Sequence, residues 1–202
     1  MSPARHATIR GVSETPTNPP SDSNEPVSEK LTHTPVGARV PDRVAAGIYS
    51  TGQVVLDSPK EFIIDFLQGM TRPFRVNARV VIAPGTMTEL ITALKDNLQK
   101  YTDAFGPPPP LPQRPPNERR LGIAEIYENF KISDDMLSGS YANSVLIGHS
   151  PSEFFFDFIT GFFPTAAVSA RVFLAVPVVP RFLSTLEGAY LQYASRLKPP
   201  NT

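Results

Sequence analysis

Apolar residues along this chain fall into short alternating runs, then into a longer stripe at helical spacing, and the same order occurs twice. In the first stretch Val54–Leu56 reads as a short strand. Ser58-Pro59 then breaks the chain, because proline cannot donate to a ladder and restricts the residue before it. Glu61–Leu67, rich in Phe and Ile, and Val76–Ala83 read as two further strands. Met87, Leu90, Ile91, Leu94, Leu98 and Tyr101 follow at helical spacing. In the second stretch Val145–Ile147, the break at Ser150-Pro151, Glu153–Ile159 and Val168–Ala175 come in the same order. A stripe of Phe182, Leu183, Leu186, Tyr190 and Tyr193 closes it. At about 18 residues each helix would run roughly 27 Å, long enough to cover a three-stranded sheet. The pattern predicts an α+β fold built from a β-β-β-α unit used twice.

Register narrows the picture. A hairpin centred near residue 72 sets Phe66 against Ala78, Ile64 against Val80 and Phe62 against Ile82, giving one continuous apolar face for a helix to cover. The other face then carries Glu61, Ile63 and Asp65 against Arg79 and Val81, with Asp65 directly opposite Arg79. The same arithmetic places Asp157 opposite Arg171. A slip of one residue would put charge on the core face, so this register is favoured.

Residues 40–103 and 132–195 align at a constant offset of 92 with no gap, and 17 of 64 positions are identical. Random pairing at ordinary composition would give roughly 4. The identities centre on Ser-Pro-x-Glu-Phe-x-x-Asp-Phe, from Ser58 to Phe66 and from Ser150 to Phe158. They also include Gly47/Gly139, Tyr49/Tyr141, Arg79/Arg171 and Tyr101/Tyr193. This is a tandem duplication, expected to pack about a pseudo-two-fold axis into one body.

Composition divides the chain further. Of its 23 prolines, just over half lie in residues 1–39 and 107–120. Residues 1–39, rich in Ser, Thr, Pro, Asn and Glu with no apolar period, read as a disordered tail that cannot bury enough surface to offset its ordering entropy. Residues 107–120 read as a polyproline-like spacer. Repeat unit one is then 40–106 and repeat unit two 121–202. Formal net charge is +0, which gives no electrostatic attraction for nucleic acid. No cysteine is present, so disulfides and thiolate chemistry are excluded and a reducing compartment fits. No apolar run is long enough for a signal segment or a membrane span, which makes a cytoplasmic protein the expectation.

Candidate chemistry is sparse. Glu61, Asp65, Glu153 and Asp157 share a face and could act as acid and base or hold a divalent cation. Arg79 and Arg171 supply partners, however, and no nucleophile recurs beside them, so a structural cross-strand ion pair on a solvated or interface face is the plainer reading. Exposed pairs of that kind contribute only about 0–1 kcal/mol. His149 has Asp57 as its counterpart, so no function shared by both copies needs a histidine there. Tyr101 and Tyr193 could stack a ligand or partner, although recurrent tyrosines more often sit at a core edge with the hydroxyl on water or a carbonyl. Arg114 within the proline run would suit an aromatic groove, yet a spacer needs no ligand. No phosphate-binding glycine loop, nucleophile elbow or metal-spaced His/Glu set is present.

The string Gly139-Ser140-Tyr141-Ala142-Asn143, followed by His149–Phe154, Asp157-Phe158 and Ala170-Arg171-Val172, resembles a small prokaryotic family known as domain of unknown function 3467. Ser58–Phe66, Ala78-Arg79-Val80 and Ala83-Pro84 carry the same likeness in the first copy, which departs at Tyr49-Ser50-Thr51. The resemblance brings no activity, catalytic residue or cofactor with it. The sequence therefore points to a non-catalytic structural or protein-interaction module, with a protein partner or self-association expected and no cofactor. Nucleic-acid binding, and a small-ligand or metal-binding enzyme subunit using Glu61/Asp65 and Glu153/Asp157, stand as alternatives. Single-unit relatives would be expected to form homodimers.

Overall fold

The computed structural model describes residues 37–112, 122–162 and 164–197. Most of the segment read as a tail (1–36) and the greater part of the proline-rich spacer (113–121) lie outside the described residues.

In chain order the elements are α1 (Asp42–Ala45), β1 (Ile48–Ser50), β2 (Gly52–Asp57), β3 (Phe62–Gln68), β4 (Arg75–Ile82) and α2 (Pro84–Phe105). The second half follows with α3 (Ile123–Asn129), α4 (Asp134–Leu137), β5 (Ser140–Ala142), β6 (Ser144–His149), β7 (Glu153–Thr160), β8 (Ala167–Ala175) and α5 (Val179–Leu197). The class is α+β with two copies of one plan. The apolar alternation sets the pairing, with Phe62 opposite Ile82, Ile64 opposite Val80 and Phe66 opposite Ala78, and with Asp65 opposite Arg79 between them. Asp157 faces Arg171 in the same way. Ser58 and Ser150 close the turns between β2 and β3 and between β6 and β7. The hydroxyl oxygen of each accepts the N–H of the Glu three residues on, at 3.1 Å for Glu61 and 3.0 Å for Glu153. The recurrent Ser-Pro-x-Glu string is therefore a turn.

In both copies the register shifts once, after Phe66 and after Phe158. Asn77 and Ser169 are left unpaired there, and this bulge rotates Val76 and Val168 to the outer sheet face. Val76 joins Val54 and Leu67 in an outer apolar cluster, and Val168 joins Ile159 and Ala166 in its counterpart.

A self-contained three-strand unit is not what forms. Each sheet has four strands, in the order β1-β8-β7-β6 and β2-β3-β4-β5, so each copy gives its first short strand to the other copy's sheet. β1 pairs parallel with β8 and β5 pairs parallel with β4. The approach is reciprocal as well. Arg39 N–H donates to the Ala166 carbonyl at 2.8 Å, while Lys131 N–H donates to that of Phe74 at 2.9 Å.

The chain passes between sheets at Thr51 and at Asn143. Thr51 Oγ1 accepts the Gly69 N–H at 2.9 Å, and Asn143 Oδ1 accepts the Gly161 N–H at 2.7 Å. The substitution of Asn for Thr between copies therefore keeps an oxygen acceptor at the crossing.

The helices cross over too. Tyr101 of α2 packs on Phe154 with ring centroids 5.5 Å apart, and its hydroxyl donates to the Pro151 carbonyl at 3.0 Å. Tyr193 of α5 lies edge-on to Phe62 at 5.1 Å. Each helix thus covers the sheet of the other copy, where the β-β-β-α unit implied its own. Phe66 and Phe158 meet at 5.6 Å, so the inner faces of both sheets and both helices form one shared core. Lys95 and Glu187, equivalent positions on α2 and α5, form an ion pair at 2.7 Å across the axis.

A size exchange marks the two sheets. Leu56 opposite Ile63 becomes Gly148 opposite Phe155. A Cβ on Gly148 would lie 2.3 Å from the Phe155 ring, so the aromatic ring occupies the space that a side chain fills in the first copy.

Candidate functional site

Two recurrent Asp–Arg pairs flank the pseudo-two-fold axis. Asp65 lies on the outer face of β3 with 0% exposure, so of a solvated or an interface face it is the buried one that forms. Arg79 grips it with both ends of the guanidinium, Nε to Oδ1 at 2.8 Å and Nη2 to Oδ2 at 2.8 Å. A further N–H, from Nη1, donates to the Leu137 carbonyl at the end of α4 at 3.0 Å. Arg171 binds Asp157 in the same way, at 2.6 and 2.7 Å, and donates to the Ala45 carbonyl at the end of α1 at 3.3 Å. Each guanidinium thus ties a carboxylate of its own sheet to the segment arriving from the other copy.

Gly47 and Gly139 explain themselves in this setting. Both have positive φ, 65° and 71°, at the turns between α1 and β1 and between α4 and β5. A Cβ on Gly139 would come within 2.9 Å of Arg79 Cγ, and one on Gly47 within 2.4 Å of the Phe173 ring. Only glycine supplies both the left-handed turn and the close approach.

Burial changes the weight of these pairs. Their carboxylates are at most 5% exposed and the arginines 14% and 23% exposed, so the small contribution of a surface pair does not apply. Removing one partner of a buried pair costs about 3–5 kcal/mol, because the other charge is left without compensation. The hydrogen bonds to Asp65 and Asp157 raise the pKa of Arg79 and of Arg171 above the usual arginine value, more than burial lowers it.

The first pair has a third member that the repeat arithmetic misses. Tyr127 of α3 lies over the outer face of the β2–β4 sheet and donates its hydroxyl to Asp65 Oδ2. Burial, and then the bond to Asp65, push the Tyr127 phenol well above its ordinary range. Position 127 aligns with Pro35, outside the aligned window, which is why repeat identity does not flag it. The spacing of Ile123, Ile126, Tyr127 and Phe130 is nevertheless a helical stripe.

Between the two pairs lies a cleft of about 470 Å³, within the range of small-molecule sites. Arg79 and Arg171 line it, as do Gly47 and Gly139 and the bulged Asn77 and Ser169. Arg43, on α1 against β8, and its equivalent Asp135, on α4 against β4, line it as well.

The remaining predicted residues are scattered. Tyr101 is buried and keeps no surface for a partner, and Tyr193 is half-buried against Phe62. Glu61 and Glu153 sit at the Ser-Pro turns, where Ser150 Oγ donates to Glu153 Oε2 at 3.0 Å. His149 packs among the rings of Tyr101 and Phe154. The structure does not bring Glu61 and Glu153 to the cleft. Among the described residues no three His, Asp or Glu side chains gather as a cation-binding group, and no helix is long and apolar enough to cross a membrane.

The family model described as protein of unknown function DUF3467 matches twice, over residues 16–108 and 113–198. The chain belongs to this family. It carries two copies of the DUF3467 domain in tandem, and the interlocked sheets show how the two copies complete each other. No curated protein matches the chain.

Proposed function

We propose that this DUF3467 protein is a non-catalytic structural or protein-interaction module. One observation carries the reading: the charged residues that recur in both copies on the sheets, Asp65/Asp157 and Arg79/Arg171, are engaged in holding the two copies together. Groups locked in bidentate pairs are poorly placed to shuttle protons.

Its surface offers a place for a partner. Tyr49 and Tyr141 recur and stay 45% and 42% exposed on three-residue strands that end each sheet. Exposed aromatics of this kind are the usual anchors of protein interfaces. The reading includes a reducing, cytoplasmic setting, supported by the absence of cysteine.

Affinity capture from native lysate tests it, with the wild-type chain compared with the Tyr49→Ala/Tyr141→Ala double variant. A partner in constant ratio to the bait, lost with the double variant, is the expected result. Capture that is indifferent to both tyrosines, or no partner in constant ratio, overturns it.

A further inference from the structure

We infer that the axial cleft is a binding site for a compact zwitterion, a molecule of the α-amino-acid class with one carboxylate and one ammonium group. The inference goes beyond the interaction-module reading and does not rest on it.

The first step is a charge balance. Arg79 and Arg171 line the cleft, but each is matched by its own buried carboxylate, Asp65 or Asp157. What remains is Arg43 on α1, against β8 of one sheet, and Asp135 on α4, against β4 of the other. Neither has an ion-pair partner among the described residues. The cleft is therefore neutral overall and polarised across its width. A lone anion drawn to Arg43 is repelled by Asp135, and a lone cation meets the reverse. Only a ligand with both charges satisfies both sides.

The second step concerns symmetry. Positions 43 and 135 are equivalent, being 92 residues apart. A symmetric dimer would place the same charge on both sides of its axis. This tandem chain places opposite charges there, so the cleft has a direction.

The third step is hydrogen bonding. A guanidinium has five N–H donors. Arg79 and Arg171 each spend three, two on aspartate and one on a backbone carbonyl. The two donors left over on Arg171, which is tied to the end of α1, suit a carboxylate held at the Arg43 side. Asn77 and Ser140, on β4 and on β5 beside it, line the same cleft and supply oxygen acceptors for an ammonium group beside Asp135.

Calorimetric titration of the full chain with the twenty common α-amino acids, one at a time up to 10 mM, tests this. At least one should bind. Its N-acetyl and carboxamide forms should each bind about tenfold more weakly or worse, and so should the parent compound to Arg43→Gln and to Asp135→Asn. Circular dichroism of both variants should match the wild type, since neither residue belongs to the core. Absence of binding by every amino acid overturns the inference. So does equal binding of the blocked forms, or binding unchanged in both variants.

Discussion

The two Asp–Arg pairs share a sheet face, a helix-end carbonyl and a glycine turn, yet they do not sit in equal surroundings. Over the first, Tyr127 closes the outer side and donates to Asp65, and the carboxylate is fully buried. Among the described residues no tyrosine bonds to Asp157, and Arg171 keeps more contact with water than Arg79 does, 23% against 14%. Duplication has held constant the contacts that lock one copy to the other, while what lies on top of them has diverged. Removing one partner of a charge pair costs most where water is excluded, because the charge left behind is then least hydrated, so the two halves of one design should differ measurably.

The largest expected effect breaks the pairs directly. Asp65→Ala should lower unfolding free energy by about 5 kcal/mol and Asp157→Ala by about 3, both within the range for an orphaned buried partner. Urea titration of the two variants checks this, and equal losses would erase the distinction. Next come the turns. Gly47→Ala and Gly139→Ala should each lose about 2–4 kcal/mol in the same assay, from left-handed strain together with overpacking. Gly47 should be the worse, because its added methyl would meet Phe173 at 2.4 Å.

Tyr127→Phe should cost about 1.5–3 kcal/mol, the range for a hydrogen bond to a charged group, and among the described residues it has no counterpart at the second pair. It also carries a pH signature. The folded chain holds the Tyr127 proton more tightly than the unfolded chain does. Its contribution is complete below the ordinary phenol value near 10 and is lost as pH rises from there towards the raised folded value. Melting curves from about pH 9 to 11 should therefore fall more steeply for the wild type than for Tyr127→Phe. The smallest effect sits at the other end of the axis. Lys95→Glu should cost at most about 0.5 kcal/mol in urea titrations, since both partners are more than one-third exposed, and should vanish in high salt.

Pairing within each copy was legible because alternation leaves a single register that keeps charge out of the core. Phe62, Ile64 and Phe66 against Ala78, Val80 and Ile82 fix it, and Asp65 opposite Arg79 follows. Exchange between copies was not legible. Ile48–Ser50 and Ser140–Ala142 are three residues long, too short to show a period, and the identity of a strand's neighbour is a property of the whole chain. The helix stripes share that limit, because an apolar face states that it must be covered and not which sheet will cover it. The cleft was hidden for a related reason. It exists only where the two copies meet, and its lining comes from turns and bulges such as Asn77 and Ser169 that carry no pattern of their own.

The reciprocal strand also has a consequence for synthesis. β4 ends at Ile82 and the strand that completes its edge ends at Ala142. At common rates of translation, the intervening stretch takes roughly 3 to 12 seconds to make. During that interval the nascent first half presents an unfinished sheet edge, with neither the neighbouring strand nor the α5 helix yet available. That edge therefore stays open on the ribosome until the second copy has been made.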